Sequence, residues 1–159
     1  MFGILNKDLV GSVYENRMQL SKAAIHTPFQ AGIWGSQYEG AYSIVLSGGY
    51  EDDYDKLTEI KYTGQGGRNS KGKMVNDQEL IRGNKALTLN IQKKIPVRVI
   101  RGYQIFYGPQ IGYRYDGLYS VEEYEYIEGF SGFKVFKFYL KSLLSNFELE
   151  KITGFKIPN

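Results

Sequence analysis

Short segments in which apolar and polar residues alternate are the feature that most constrains how this chain can fold. They read AYSIVLS at 41–47, TEIKYTG at 58–64 and IPVRVIRGY at 95–103, and each is rich in β-branched or aromatic residues. Alternation with a period of two is typical of strands that bury one face. The chain has 19 glycines and only 4 prolines, which predicts many turns between short strands.

Later segments add a strand pair and a helix to this pattern. YRYDGLYSVEEYEYIEG at 113–129 and GFKVFKFYLKS at 132–142 predict two strands that turn at EGFSG. One helix is predicted after Asn76, because Asn76 and Glu79 form a capping pattern and Leu80, Leu87 and Ile91 share one face. Gly83 weakens that helix by about 1 kcal/mol and would allow close approach of another backbone. Many strands with one or two helices indicate an α+β fold or a decorated β-barrel.

Length and residue types bound the kinds of chemistry available. A chain of 159 residues fits one compact domain. Without cysteine it has no disulfide or thiolate metal site, and a single histidine, His26, argues against a zinc site or a histidine-dependent triad. No apolar run reaches the roughly 18 residues of a membrane helix. We therefore expect a cytoplasmic protein with no membrane contact, no metal and no cofactor.

Charge is unevenly distributed along the chain. The overall balance is +3, but residues 61–101 contain ten basic residues against two acidic ones, Asp77 and Glu79. A basic region of this kind favours a polyanionic partner such as DNA. The alternative is a solvated surface that is simply rich in lysine. The ten basic residues are Lys61, Arg68, Lys71, Lys73, Arg82, Lys85, Lys93, Lys94, Arg98 and Arg101.

The acidic stretch SGGYEDDYD at 47–55 supports competing hypotheses. A metal-dependent nuclease would use Asp53 with Glu59 and Lys61, because carboxylates hold Mg²⁺ and a lysine can position the attacking water. A calcium site is a second hypothesis, but the stretch has no glutamate at the spacing that an EF-hand requires. Neither pattern accounts for the two tyrosines, Tyr50 and Tyr62, that flank the acids.

A pocket for an extruded cytosine accounts for every residue type in the stretch. Tyr50 and Tyr62 could stack on the two faces of the base, and one carboxylate could accept the cytosine N4–H. The glycine pair Gly48-Gly49 allows the backbone to approach the remaining edge. The alternative is that both tyrosines pack in the core and the acids cap a turn.

Six motifs in order extend this interpretation over most of the chain. The first is the pair GIWG and EGAYSIVLSGGYEDDYD, taken as one motif, and the other five are YTGQGGR, DQELIRGNKAL, PVRVIRG, YRYDGLYSV and GFKVFKFYL. The chain resembles the SRA domain, also called the YDG domain after the motif present here as Tyr115-Asp116-Gly117. The likeness covers about residues 2–140, so we expect a single domain over 1–159, with 141–159 as a C-terminal extension or the start of a linker.

This resemblance implies a fold, a function and a set of site residues. It implies a PUA-like twisted β-barrel with a few packed helices, and a non-enzymatic module that flips 5-methylcytosine or 5-hydroxymethylcytosine out of double-stranded DNA. Bacterial members are often the recognition part of modification-dependent restriction endonucleases, with a nuclease domain in the same protein; a stand-alone reader and a scaffold for protein contacts are the alternatives. The implied base pocket comprises Ser47, Gly48, Gly49, Tyr50, Asp53, Tyr62 and Thr63.

The same resemblance implies where the DNA would be held. One groove-entering loop has its tip near Gln30, and a second lies within residues 69–76. Residues expected at the grooves and phosphates are Gln30, Arg17, Arg68, Lys71 and Lys73, while His26 is expected to be structural. Leu57 stands where the family usually has glycine, so the turn there is expected to be rebuilt. A bacterial, nucleoid-associated location is expected, and the oligomeric state is left open.

Overall fold

The protein folds around one mixed sheet, seen in a computed structural model that describes residues 1–3 and 7–159. Within those residues there are eight strands and three α-helices, which confirms the predicted α+β class. The strands are β1 (Val13–Tyr14), β2 (Ile33–Ser36), β3 (Gly40–Leu46), β4 (Tyr54–Asp55), β5 (Glu59–Thr63), β6 (Val97–Gly102), β7 (Tyr113–Glu128) and β8 (Lys134–Ser142). The helices are α1 (Arg17–Lys22), α2 (Arg82–Lys93) and α3 (Asn146–Thr153).

The sheet has the order β2-β3-β6-β7-β8-β5-β4, with β1 paired to β7. Neighbouring strands are antiparallel except for β3 and β6, which are parallel. In the described residues, the two end strands β2 and β4 are not paired with each other. The two ends are instead linked through a side chain, because the Tyr62 hydroxyl on β5 donates to the carbonyls of Gly32 and Val45 at 3.1 and 3.3 Å.

Alternating burial places apolar residues on both faces of the central strands. Ile44 and Leu46 of β3 pack in the larger core under α2, whereas Val45 packs in a second core beside Leu20 of α1. Burying an aliphatic side chain of this size contributes about 1.5–3 kcal/mol. The sheet is therefore fixed from both sides, and its loops have a rigid base.

The predicted helix start was wrong by five residues. Helix α2 begins at Arg82 and its N-cap is Ile81, not Asn76. The preceding segment is held extended against β8, because the Gln78 side chain accepts from Phe136 N at 2.9 Å and Asp77 Oδ1 accepts from Lys134 N at 2.8 Å. These tertiary bonds replace the local capping bonds that the sequence pattern predicted.

Helix α2 is fixed to the sheet by a polar and a steric contact. Asn90 accepts from Ala41 N at 2.7 Å and donates to Ala41 O at 2.9 Å. The close approach at Gly83 is made by side chains and not by another backbone, since a Cβ there would lie 2.8 Å from Gln65 Nε2 and 2.9 Å from Ile33 Cβ. No helix in the described ranges is long and apolar enough to cross a membrane.

Candidate functional site

The loop between β3 and β4 carries most of the predicted pocket residues. Asp53 N donates to Tyr50 O at 3.2 Å, which closes a turn over the acidic stretch. Gly48 has a φ of +75°, a conformation that favours glycine. The Tyr50 hydroxyl accepts from Gly66 N at 2.9 Å, so the loop is tied to the segment that follows β5.

Asp53 is largely buried and tied to β5. Its Oδ1 accepts from Thr63 N at 2.7 Å, and the Thr63 side chain is a second neighbour of the carboxylate. Burial raises the pKa of Asp53 to about 6, against the lowering effects of the Thr63 bond and of Lys137. A carboxylate with one oxygen fixed and the other available is suited to accept an N–H from a ligand.

A cavity of about 400 Å³ opens beside this carboxylate. The 47–53 loop contributes Gly48, Tyr50 and Asp53 to its wall, and the β6–β7 loop contributes Ile105 and Phe106. The volume lies within the range of small-molecule pockets. It therefore has room for a nucleobase between an aromatic ring and a carboxylate.

Tyr62 is placed differently from the sandwich that the sequence suggested. Its ring belongs to the main core and is 6% exposed, and it does not line the cavity beside Tyr50. Burial first, and then the nearby Asp53 and Tyr50, raise the pKa of Tyr62. The three residues thus lie in one region, while stacking by both rings on one base stays a prediction.

The other pocket residues surround the same loop. Thr63 is 1% exposed and its hydroxyl is buried without a hydrogen-bond partner, which is unusual for a buried polar group. Ser47 is half-buried, and Gly49 is exposed. The Gly49 carbonyl accepts from Arg68 Nη1 at 2.6 Å.

Arg68 covers one face of Tyr50. Its guanidinium carbon lies 4.4 Å from the ring centroid, within the range of a cation–π contact. A second cavity, of about 320 Å³, lies on this side of Tyr50 and includes Lys73. Lys71 and Lys73 are exposed, and both of their backbone N–H groups donate to Asn69 Oδ1. This basic loop is therefore ordered beside the pocket.

The loop that carries Gln30 is held from inside the protein. Arg17 Nη2 donates to the carbonyls of Pro28 and Ala31 at 2.9 and 2.7 Å, so Arg17 supports this loop, and its predicted phosphate contact stays a prediction. His26 Nε2 donates to Ala31 O at 2.8 Å, and Nδ1 accepts from Ser43 Oγ. Burial lowers the pKa of His26 to about 3, which agrees with the expected structural role. Gln30 itself is exposed.

The three residues of the nuclease hypothesis line one cavity of about 740 Å³, but this cavity holds no metal-binding cluster in the described part of the chain. Lys61 Nζ lies beside the rings of Tyr54 and Tyr139, at 5.5 and 5.7 Å from their centroids. Glu59 is exposed, and Asp53 is bound to Thr63 N. Across the described residues, no three His, Cys, Asp or Glu side chains are grouped so that they could hold a metal ion.

Sequence reasoning missed the partners of the other acids. Asp52 Oδ1 accepts from Phe130 N at 3.0 Å and supports the β7–β8 turn. Asp55 pairs with Arg101, which is wholly buried. Two members of the basic stretch, Arg98 and Arg101, are thus internal and do not contribute to a basic surface. The Tyr-Asp-Gly motif is the sequence feature that could have pointed to this buried ion pairing, because its Asp116 is a further partner of Arg101.

Comparison with known sequences identifies a matching family. The SAD/SRA domain family matches residues 1–145. E3 ubiquitin-protein ligase UHRF1 of Rattus norvegicus is 39% identical over 163 residues, which cover 88% of this chain and 21% of that protein. The chain therefore spans about a fifth of the length of this relative.

Solved structures share the fold closely. The modification dependent TagI restriction endonuclease superposes with a TM-score of 0.87 at 41% identity, over 94% of this chain and 54% of that one. The SUVH5 SRA domain in complex with fully methylated CG DNA gives a TM-score of 0.77 at 42% identity, over 91% and 95% of the two chains. The same domain bound to fully hydroxymethylated CG DNA gives a TM-score of 0.79.

Proposed function

The chain belongs to the SAD/SRA domain family, and we propose that it binds double-stranded DNA by taking a flipped-out, modified cytosine into the cavity beside Tyr50 and Asp53. The modified base is 5-methylcytosine or 5-hydroxymethylcytosine, as in the DNA named for the SUVH5 complexes. The observation that carries this proposal is the Asp53 carboxylate. Its Oδ1 is fixed by Thr63 N, and Oδ2 is left to accept the N4–H that distinguishes cytosine from thymine.

The energies of the contacts are sufficient for base flipping. Extruding a base requires a few kcal/mol. Stacking on an aromatic ring returns about 1–3 kcal/mol, and a charge-assisted hydrogen bond to Asp53 adds about 1.5–3 kcal/mol. Exposed basic residues such as Arg68, Lys71 and Lys73 supply sequence-independent attraction to phosphates. The protein therefore needs no chemical step to hold the base outside the duplex.

Selectivity for the modified base needs a close-fitting wall. Burying one methyl group contributes only about 0.8 kcal/mol, or about a fourfold preference. A larger preference requires that the wall leave a void when plain cytosine is bound. The sequence assigned this wall to Ser47 and Thr63, with the Ser47 hydroxyl able to accommodate a hydroxymethyl group. Neither residue lines the cavity beside Tyr50 in the free protein, so in this proposal they act from just behind its lining.

We further propose that the module serves modification-dependent restriction, as the recognition part of a protein that also contains a nuclease domain. The TM-score of 0.87 with the TagI enzyme supports this assignment. The module itself carries no catalytic role in this proposal. A stand-alone reader of modified DNA is the alternative, supported by the identity with UHRF1.

Binding to three matched duplexes, carrying C, 5-methylcytosine or 5-hydroxymethylcytosine at one position, tests the proposal. We expect tighter binding to one or both modified duplexes, measured by fluorescence anisotropy at fixed salt. Equal affinity for all three would contradict it. Addition of Mg²⁺ or Mn²⁺ separates the rivals, because a binding module shifts the DNA, a nuclease cleaves it, and a protein-contact scaffold does neither.

Binding of modified DNA is also expected to depend on pH. With its pKa of about 6 in the free protein, Asp53 becomes protonated as the pH falls through that value, and the carboxyl group then faces the N4 donor as a second donor. Between about pH 7.5 and about pH 5.5 the affinity for the modified duplex should fall about fourfold. Dissociation constants for the wild type and for Asp53→Asn, measured at constant ionic strength, test this. An affinity of the wild type that changes no more than that of Asp53→Asn would contradict the assigned role.

A further inference from the structure

Four charged side chains form a continuous chain inside the protein, in the order Asp55, Arg101, Asp116, Arg114. Arg101 donates from Nε and Nη2 to the two oxygens of Asp55 at 2.8 Å each, and from Nη1 to Asp116 Oδ2 at 2.7 Å. Arg114 Nε donates to Asp116 Oδ1 at 2.5 Å. The side chains of Arg101 and Asp116 are both 0% exposed. Two carboxylates and two guanidiniums balance, so the ion network carries no net charge.

One end of this ion network holds the turn that follows Asp53. Leu57 is wholly buried with a φ of +69°, a conformation that a side chain with a branched γ-carbon rarely adopts. Its N–H donates to Asp55 Oδ1 at 2.9 Å. Its carbonyl accepts from Arg101 Nη2 at 3.1 Å and from the Tyr119 hydroxyl at 2.6 Å. The turn keeps this conformation because the network fixes both of its backbone groups.

The other end holds the β6–β7 loop and the C-terminal helix. Arg114 Nη2 donates to the carbonyl of Tyr107, and Nη1 donates to the carbonyl of Thr153, the last residue of α3, at 3.5 Å. Beyond α3, the ring of Phe155 lies 5.3 Å from that of Tyr107 and 5.8 Å from that of Phe106. The loop is thus held between the network and the C-terminal segment.

Both ends meet at the proposed base cavity. Tyr50 and Asp53, on the loop that the network holds through Asp55, form one wall. Ile105, Phe106 and Tyr107, on the loop that it holds through Arg114, line another part. A Cβ on Gly48 would lie 3.5 Å from Ile105 Cγ2, so the two loops are in contact distance across the cavity.

We propose that Arg101, Asp116 and Arg114 are positioning residues that set the spacing between these two walls and thereby the selectivity for the modified base. The inference rests on the proposed function. A pocket can distinguish two bases that differ by one methyl group only if its walls keep their spacing. A buried, fully paired network is rigid and would keep that spacing fixed. Tyr119 extends this ion network, because its hydroxyl is hydrogen-bonded to both Arg101 and Leu57.

Tyr119→Phe tests the inference with a small change. The substitution removes the hydroxyl that donates to Leu57 O and accepts from Arg101 Nη1 at 3.0 Å. We expect the ratio of affinities for 5-methylcytosine and plain duplexes to fall about threefold or more, with binding of plain DNA unchanged. Arg114→Lys is a second variant. It keeps a positive charge beside Asp116 but removes the hydrogen bond from Nη2 to the Tyr107 carbonyl. Both ratios are measured below the melting temperature of each variant.

Tyr115→Phe is the matched control. Tyr115 lies on the same strand, is 0% exposed, and its hydroxyl is buried without a hydrogen-bond partner. This variant should keep the full ratio. If it lowers the ratio as much as Tyr119→Phe, or if both test variants keep the full ratio, the inference is wrong. A wild-type protein that shows no preference for modified DNA would instead contradict the proposed function.

Discussion

Changing Asp53 to asparagine is expected to weaken the binding of modified DNA strongly while the protein stays folded. Thr63 N donates to Asp53 Oδ1 at 2.7 Å, and an asparagine Oδ1 can accept the same hydrogen bond. The asparagine amide nitrogen, however, is a donor, and it would face the N4 donor of cytosine. The loss of a charge-assisted bond, with two donors left facing each other, should weaken modified-duplex binding by about tenfold to a hundredfold. Fluorescence anisotropy with modified and plain duplexes measures it.

The raised pKa of Asp53 determines whether this substitution stabilises or destabilises the protein. Because burial raises the folded-state pKa of Asp53 above its ordinary value, the ionised side chain destabilises the protein, and the favourable protonated state is lost as the pH rises through about 6. Asp53→Asn should therefore melt at an equal or higher temperature near neutral pH, and the gap should close as the pH falls towards 4.

Asp52→Asn is the matched control for this experiment. Its carboxylate accepts from Phe130 N at 3.0 Å, a bond that an asparagine Oδ1 can also accept, and nothing assigns it to the base. The control should bind modified DNA as the wild type does. A variant at Asp53 that binds unchanged, with an unchanged melting temperature, would remove the basis of the pocket assignment.

Changing Arg101 to leucine is expected to be the most destabilising single substitution tested. Burial alone would lower the pKa of Arg101, but Tyr119, Asp55 and Asp116 together raise it well above its usual range, so the guanidinium stays charged. Leucine would leave Asp55 without its partner and the wholly buried Asp116 with Arg114 alone. Breaking a buried pair in this way lowers the free energy of unfolding by about 3–5 kcal/mol, a large part of a typical domain's stability.

Urea unfolding at neutral pH measures this loss. Arg68→Leu is the comparison, since it removes the same guanidinium from an exposed position where it contacts the Tyr50 ring and Gly49 O. We expect Arg68→Leu to lower the free energy of unfolding by less than about 1 kcal/mol. A loss at Arg101 as small as that at Arg68 would show that the network contributes little to the fold.

The strands were predictable from local pattern because burial on one face imposes alternation. The segment 41–47 corresponds to Gly40–Leu46, and 58–64 corresponds to Glu59–Thr63. The start of helix α2 was not predictable, because Gln78 bonds to β8, more than fifty residues away. Local capping preferences are weaker than several such tertiary bonds.

The residue types of the candidate site can be read from the sequence, but their geometry cannot. Residue types around Tyr50 and Asp53 indicated a base pocket, and both residues line one cavity. The sequence could not show that Tyr62 directs its hydroxyl to Gly32 and Val45. Nor could it separate Asp53 from Asp55, which line the same cavity but differ in partner, Thr63 N for Asp53 and, 46 positions away, Arg101 for Asp55. Such pairings depend on topology and leave no local trace.

The parallel pairing of β3 with β6 has a consequence for the order in which the protein assembles. Every residue from 47 to 96 lies between these two strands, so the hairpin of β2 and β3 can join the β6–β7–β8 meander only after a long loop closes. Long-range closure of this kind slows folding. The Tyr50–Asp53 turn lies inside that loop. A nascent chain therefore acquires its recognition surface late, and a fragment that ends before β6 would lack it.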